Sequence, residues 1–178
     1  MTAVTDGPGA GRPRLPCALR PADAADVEAI RRIYNHYVAT TTISFEEEPV
    51  TAEAMAGRLA GVQAAGLPWL VAATSAGVCG YACATRWRER HAYRFTVECT
   101  AYVAPEALGA GVGSALYGRL LPRLKQLGLH AVIAVIALPN PASIALHEKF
   151  GLSKVAHFRE VGHKFGRWHD VGHWQALL

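Results

Sequence analysis

Hydrophobic and polar positions alternate along the chain in two rhythms, and each change of rhythm marks an element. Val27, Ile30, Ile33, Tyr34 and Tyr37 recur at helical spacing behind Asp23, a suitable N-cap, with Asp26 in the first turn. Thr51 opens a second helix to about residue 65, with Met55, Leu59 and Val62 on one side. Runs of strand character occupy residues 17–20, 69–74, 78–86, 95–103 and 130–136, and residues 43–45 read as extended. The turn Ser75-Ala76-Gly77 joins two of these runs into a hairpin. An amphipathic helix follows the glycines at 109, 111 and 113, and Pro122 predicts a kink or an early stop in it. Pro141 starts a further helix that ends near Phe150, before Gly151. Two last strands, 153–162 and 169–177, flank a turn at 164–168. The order β-α-α-β-β-β-α-β-α-β-β predicts an α/β fold, a mixed twisted sheet flanked by helices whose last strands return antiparallel.

Composition narrows the class. A chain of 178 residues, half of them hydrophobic, predicts one globular domain with a proper core. Residues 1–16 are rich in Gly, Pro and Arg and lack an apolar signal core, so a disordered leader is expected there and a single domain over 17–178. The formal charge of +4 is too small and scattered to indicate nucleic acid, although it suits a polyanionic cofactor. Cys17, Cys79, Cys83 and Cys99 show no C-x-x-C spacing, and the histidines are not spaced as a ligand set. Neither a metal nor a disulfide framework is therefore expected. No apolar run is long enough to span a membrane, so a cytoplasmic protein is the expectation.

The richest chemistry lies at residues 103–121, where a strand runs through a glycine turn into a helix. Glycines there let backbone N–H groups approach a ligand, and the helix start adds unpaired donors and a positive dipole end. This is a cradle for phosphate. It is not a nucleotide P-loop, because Ser114-Ala115 follows Gly113 where Lys-Ser/Thr is needed. It is not the dinucleotide fingerprint either, because Leu116 stands at the third glycine position. A plain glycine turn capping a helix is the alternative.

The element order and this loop resemble the GNAT superfamily of acetyl-CoA-dependent N-acetyltransferases. The runs I-Y-N-H-Y-V (33–38), P-W-L-V-A (68–72), R-x-R-x-A-Y (88–93), A-V-I-A-L-P-N-P-A-S (134–143), L-H-E-K-F-G (146–151) and G-R-W-H-D-V-G-H-W-Q (166–175) resemble the phosphinothricin and methionine sulfone or sulfoximine N-acetyltransferases. The resemblance covers about residues 18–177. It implies acetyl-CoA as co-substrate, no metal, and a homodimer. It also implies that the pyrophosphate rests on Gly109, Ala110, Gly111, Val112, Gly113 and Ser114. The pantetheine arm would then pair with Ala101, Tyr102 and Val103 and touch Asn140. Leu108 departs from the family pattern, which has Gln or Arg there.

Strand alternation puts Thr96, Glu98, Thr100 and Tyr102 on one face of the strand. A solvated face is one reading of Glu98. The resemblance makes it the base that takes a proton from the substrate ammonium, since only the neutral amine attacks. His147 shares the apolar side of its helix, and reads either as a hydrogen-bonded core residue or, by the resemblance, as a proton-transfer group for the amine or the departing thiolate. A backbone N–H near Tyr102 or Val103, freed by a strand bulge, is expected to meet the oxyanion. Arg88 and Arg90 suit a carboxylate or phosphinate, or are merely a charged loop. Tyr93, Thr100 and Phe45 are expected to shape the pocket, and Asn35 to orient Glu98 or a water. His163, His169 and His173 read as strand or turn residues.

The resulting expectation is an enzyme acetylating the α-amine of a small amino-acid analogue. An acetyltransferase of protein N-termini and a non-catalytic CoA-binding module are the rivals. Peptide screening separates the first, and binding without turnover marks the second.

Overall fold

The computed structural model describes residues 15–178. The leader expected over 1–16 lies, up to residue 14, outside the described residues. Leu15 already donates its N–H to Ala110 O at 3.1 Å. Seven strands form one sheet: β1 (Ala18–Pro21), β2 (Trp69–Thr74), β3 (Gly77–Arg86), β4 (Thr96–Val103), β5 (Ala131–Ala137), β6 (Ser153–Lys164) and β7 (Arg167–Leu177). Their spatial order is β1-β2-β3-β4-β5-β7-β6, with β4 and β5 parallel and every other neighbour antiparallel. Four α-helices accompany it among the described residues: α1 (Val27–Thr40), α2 (Ala52–Ala64), α3 (Val112–Gln126) and α4 (Pro141–Lys149).

The helices begin where the sequence places caps. Asp23 accepts from Ala25 N–H and forms a capping box with Asp26, whose carboxylate is also clasped by Arg20 at 2.6 and 2.7 Å. Thr51 Oγ1 accepts from Ala54 N–H, and Asn140 Oδ1 from Ser143 N–H. Buried residues of α3, namely Leu116, Tyr117, Leu120 and Leu124, pack with Val97, Cys99, Val132, Ala134 and Trp174 of the strands. Buried α1 and α2 residues, Ile30, Ile33, Met55 and Leu59 among them, belong to the same core.

Four expectations are corrected. Pro122 neither stops nor breaks α3, which runs on to Gln126. Its ring lies on the exposed side, and burial of Leu120 and Leu124 at about 1.5–3 kcal/mol each offsets the roughly 3 kcal/mol a mid-helix proline costs. Residues 43–45 are not a strand but a bent loop. Thr41 Oγ1 accepts from Ile43 N–H and Ser44 Oγ from Glu46 N–H, and these side-chain bonds replace a ladder. The final hairpin turn is tighter than 164–168, because Phe165 and Gly166 both hold positive φ (52° and 71°) and form a two-residue turn. No bulge interrupts β4 against β3, since Gly80 to Arg86 pair in unbroken register with Val103 to Val97.

The feature that positions the site is a parting of strands. β4 and β5 pair only over Thr96–Glu98 and Ala131–Ile133, although β4 continues to Val103 and β5 to Ala137. Beyond Glu98 the two strands diverge.

Candidate active site

The cleft is built on that divergence. Ala104 N–H donates to Cys79 O on β3, whereas Phe95 O accepts from His130 and Ala131 at the start of β5. Backbone groups of even-numbered β4 residues therefore point to β3, and those of Ala101 and Val103 point into the gap. The freed N–H groups arise from strand parting, not from the expected bulge, and they belong to Ala101 and Val103; that of Tyr102 faces β3. The Tyr37 hydroxyl donates to Val103 O and fixes that edge.

At the open end, Gly109 and Gly111 take φ of 76° and 83°, conformations that favour glycine, and Gly111 is the N-cap of α3. The first intrahelical bond runs from Ala115 N–H to Gly111 O, so the N–H groups of Val112, Gly113 and Ser114 have no helical acceptor. Ala110 departs from expectation. It is buried, its N–H bonds Ala107 O, and its carbonyl takes Leu15 N–H. A cavity of about 430 Å³ joins Ala101–Val103, this loop, Asn140, Ser143 and His147. Lys149, which no motif singles out, donates an ammonium N–H to Ser114 Oγ at 3.0 Å and brings a cation to the loop.

His147 is 4% exposed at the inner end of this cavity. Its Nδ1 lies 2.7 Å from Ser143 O, which can only accept, so Nδ1 carries the proton. Nε2 is then an acceptor, filled by the Tyr117 hydroxyl at 2.7 Å. That hydroxyl also touches Cys99 Sγ at 3.3 Å. Burial pushes the imidazole below its ordinary pKa, only partly opposed by the bond to Ser143. It pushes the Cys99 thiol up to about 12. Tyr117 was not foreseen, although a tyrosine on the buried stripe of α3 calls for a hydroxyl partner.

Glu98 faces the other side of the sheet. Register aligns Glu98 with Ile133 and Gln175, and Thr100 with Cys83 and Trp69. Trp69 and Cys83 line, with Glu98, Thr100 and Tyr102, a cavity of about 600 Å³ beneath α1 and α2. Burial raises the Glu98 carboxyl above the usual range, and the positive charge of Arg88 pulls it partly back. The wall is aromatic. Trp69 and Tyr81 stack at 5.5 Å, as do Tyr81 and Tyr102, and Tyr34 meets Tyr102 edge-on at 5.1 Å.

The remaining expected pocket residues divide. Arg88 stacks on Trp87 at 4.6 Å within electrostatic reach of Glu98. Arg90 and Tyr93 sit on the exposed loop beyond it, and none of the three lines a described cavity. Asn35 does not orient Glu98: its amide exchanges bonds with Val50 N–H (2.8 Å) and Val50 O (2.9 Å), clamping the 41–50 loop to α1. Phe45 does not shape the pocket either: it lines no described cavity, and the tip of its ring abuts Gly162, where a Cβ would stand 2.3 Å from Cζ. Another cavity, about 580 Å³ between β1, β2 and the C-terminal half of α3, contains none of the expected residues.

A parted parallel strand pair thus lies between a glycine loop with unpaired N–H donors at its mouth and a carboxylate on the reverse face. The family model described as "Acetyltransferase (GNAT) domain" matches residues 19–173, and the chain belongs to that family of acetyltransferases. Among its members, a phosphinothricin N-acetyltransferase of Streptomyces viridochromogenes is 44% identical, covering 91% of this chain and 88% of its own. An L-methionine sulfoximine/L-methionine sulfone acetyltransferase of Salmonella typhimurium is 38% identical, covering 90% and 94%. The crystal structure of a GNAT superfamily phosphinothricin acetyltransferase from Sinorhizobium meliloti in complex with acetyl-CoA is 40% identical, covers 91% and 88%, and superposes with a TM-score of 0.88.

Proposed function

We propose that the protein transfers an acetyl group from acetyl-CoA to the α-amine of a small amino acid of the phosphinothricin or methionine sulfone type. The observation that carries this reading is the gap between β4 and β5, open on one face to the glycine cradle and bordered on the other by Glu98. The residues fit the co-substrate. N–H groups of Gly109 and of Gly111 to Ser114, supported by Lys149, suit a pyrophosphate. Gap-side groups of Ala101 and Val103, with Asn140, suit the amides of a pantetheine arm. Acetyl-CoA supplies an activated acyl group. Every other demand falls on the chain.

Glu98 removes a proton from the substrate ammonium, and its raised pKa brings it closer to the proton it must accept. Arg88 takes the α-carboxylate beside it. A gap-side N–H of β4 stabilises the developing negative oxygen. As the carbon–sulfur bond breaks, the departing sulfur takes the second proton lost by the substrate nitrogen, and His147, with Nδ1–H on Ser143 and Nε2 accepting from Tyr117, is the group that relays it. The domain begins at about residue 17, and the protein works in the cytoplasm; no helix among the described residues is long and apolar enough to cross a membrane. It works as a homodimer, supported by exposed Val155, Phe158, Val161, Phe165 and Trp168 on the β6–β7 hairpin.

The test is release of free thiol from acetyl-CoA with phosphinothricin or methionine sulfone. Glu98→Gln should lower kcat at least ~100-fold, in line with general-base contributions, while leaving acetyl-CoA binding near normal. Silence with a broad amine panel refutes the reading.

A further inference from the structure

The cavity that holds Glu98 has a second polar end. Its floor runs along β4 from Glu98 through Thr100 to Tyr102, four residue steps and thus roughly 13 Å of strand. Tyr34 stands against Tyr102, and the Arg58 guanidinium of α2 lies 5.5 Å from the centre of the Tyr34 ring, lining the same cavity. Arg58 Nη2 donates to Glu46 Oε1 at 2.7 Å. That bond and one to the Tyr34 hydroxyl leave three of the five guanidinium N–H donors. The two side chains are 42% and 37% exposed, so their pair is a weak surface ion pair that leaves Arg58 available. The cavity therefore carries Glu98, with Arg86 beside it, toward one end, Arg58 toward the other and an aromatic wall between them.

We infer that Arg58 is a specificity-determining residue that binds the oxygen-bearing tip of the acceptor's side chain while Glu98 receives its ammonium. This rests on the function proposed above. The span selects an α-amino acid with an extended apolar stem, because a short side chain held at Glu98 does not reach Arg58. Glu46 tunes the choice of tip. Its carboxylate beside the guanidinium tolerates a neutral sulfone or sulfoximine oxygen and repels an anionic phosphinate.

The experiment compares kcat/KM for methionine sulfone, methionine and phosphinothricin in wild type, Arg58→Met, Arg58→Lys and Glu46→Gln. Methionine and its sulfone differ only in two oxygens. Arg58→Met should lower the sulfone-to-methionine ratio about 10- to 100-fold, the range of a lost hydrogen bond to a charged group, through KM and not kcat. Arg58→Lys, which keeps the charge and stem, should recover part of that ratio and covers the case in which the first variant folds poorly. Glu46→Gln should raise the phosphinothricin-to-sulfone ratio. An unchanged ratio in the Arg58 variants, with all amines losing equally, overturns the inference and leaves Arg58 a structural residue. A wild type that acetylates none of these amines overturns the proposed function and the inference with it.

Discussion

Replacing Tyr117 with phenylalanine tests the buried hydrogen-bond chain directly. Ser143 O fixes the proton of His147 on Nδ1, so Nε2 must accept, and the Tyr117 hydroxyl is the donor that fills it at 2.7 Å. Both side chains are buried, so no water replaces the hydroxyl without repacking. The ring volume is nearly kept, and the cost is that of a buried acceptor left unsatisfied, about 1–3 kcal/mol. For a domain of this length each kcal/mol moves the thermal midpoint by about 2–4 °C, so Tyr117→Phe should melt about 4–8 °C lower for a loss near 2 kcal/mol. A double-mutant cycle isolates the pair. With His147→Leu also present the acceptor is gone, and the two changes should cost about 1–2 kcal/mol less together than their sum. Denaturant unfolding measures all four corners. Additivity within about 0.5 kcal/mol, or an unchanged melting point, refutes the proton assignment and the bond.

Other outcomes follow from groups described above. Because burial raises the Glu98 pKa in the folded state, its protonated form is the one that folding favours; its contribution to stability is full below the ordinary carboxylate pKa and is lost as pH rises through the raised value. Glu98→Gln should therefore melt higher than wild type at neutral pH, with the gain vanishing below about pH 4, and a lower midpoint at pH 7 would contradict this. Arg88→Ala removes the charge that restrains Glu98, so the acid limb of the kcat/KM profile should move to higher pH; a limb moving downward would exclude Arg88 as its neighbour. Gly109→Ala meets no neighbour within 4 Å but forces an L residue to φ of 76°, a strain of roughly 1–2 kcal/mol. It should raise KM for acetyl-CoA about tenfold with kcat within about twofold, and an unaltered KM would remove the loop from the cradle.

The elements were legible because local signals and burial agree. Asp23, Thr51 and Pro141 mark helix starts, and the period-two run of β4 separates Val97 and Cys99 from Glu98 and Thr100. The element order and the glycine turn into α3 were legible in the sequence. What could not be read depends on docking. Pro122 is tolerated because tertiary burial on the far side of α3 outweighs a local penalty. Asn35 and Phe45 are polar or aromatic residues near the right helix, yet Val50 and Gly162 claim them, and neither partner is near them in sequence. Arg58 is simply the residue before Leu59 on an amphipathic helix, and only the seating of α2 over the sheet carries it to the cavity. The hydroxyl that fills His147 Nε2 comes from Tyr117, thirty residues away.

The divergence of β4 and β5 leaves peptide groups in the middle of the sheet without the neighbours that a completed ladder would give them. A guest whose amides stitch that seam becomes a temporary member of the architecture. Occupancy of the seam is then written into the rigidity of the whole molecule: amide protons at Ala101 and Val103 should exchange with solvent far more slowly once the guest is seated, before any acetyl group has moved.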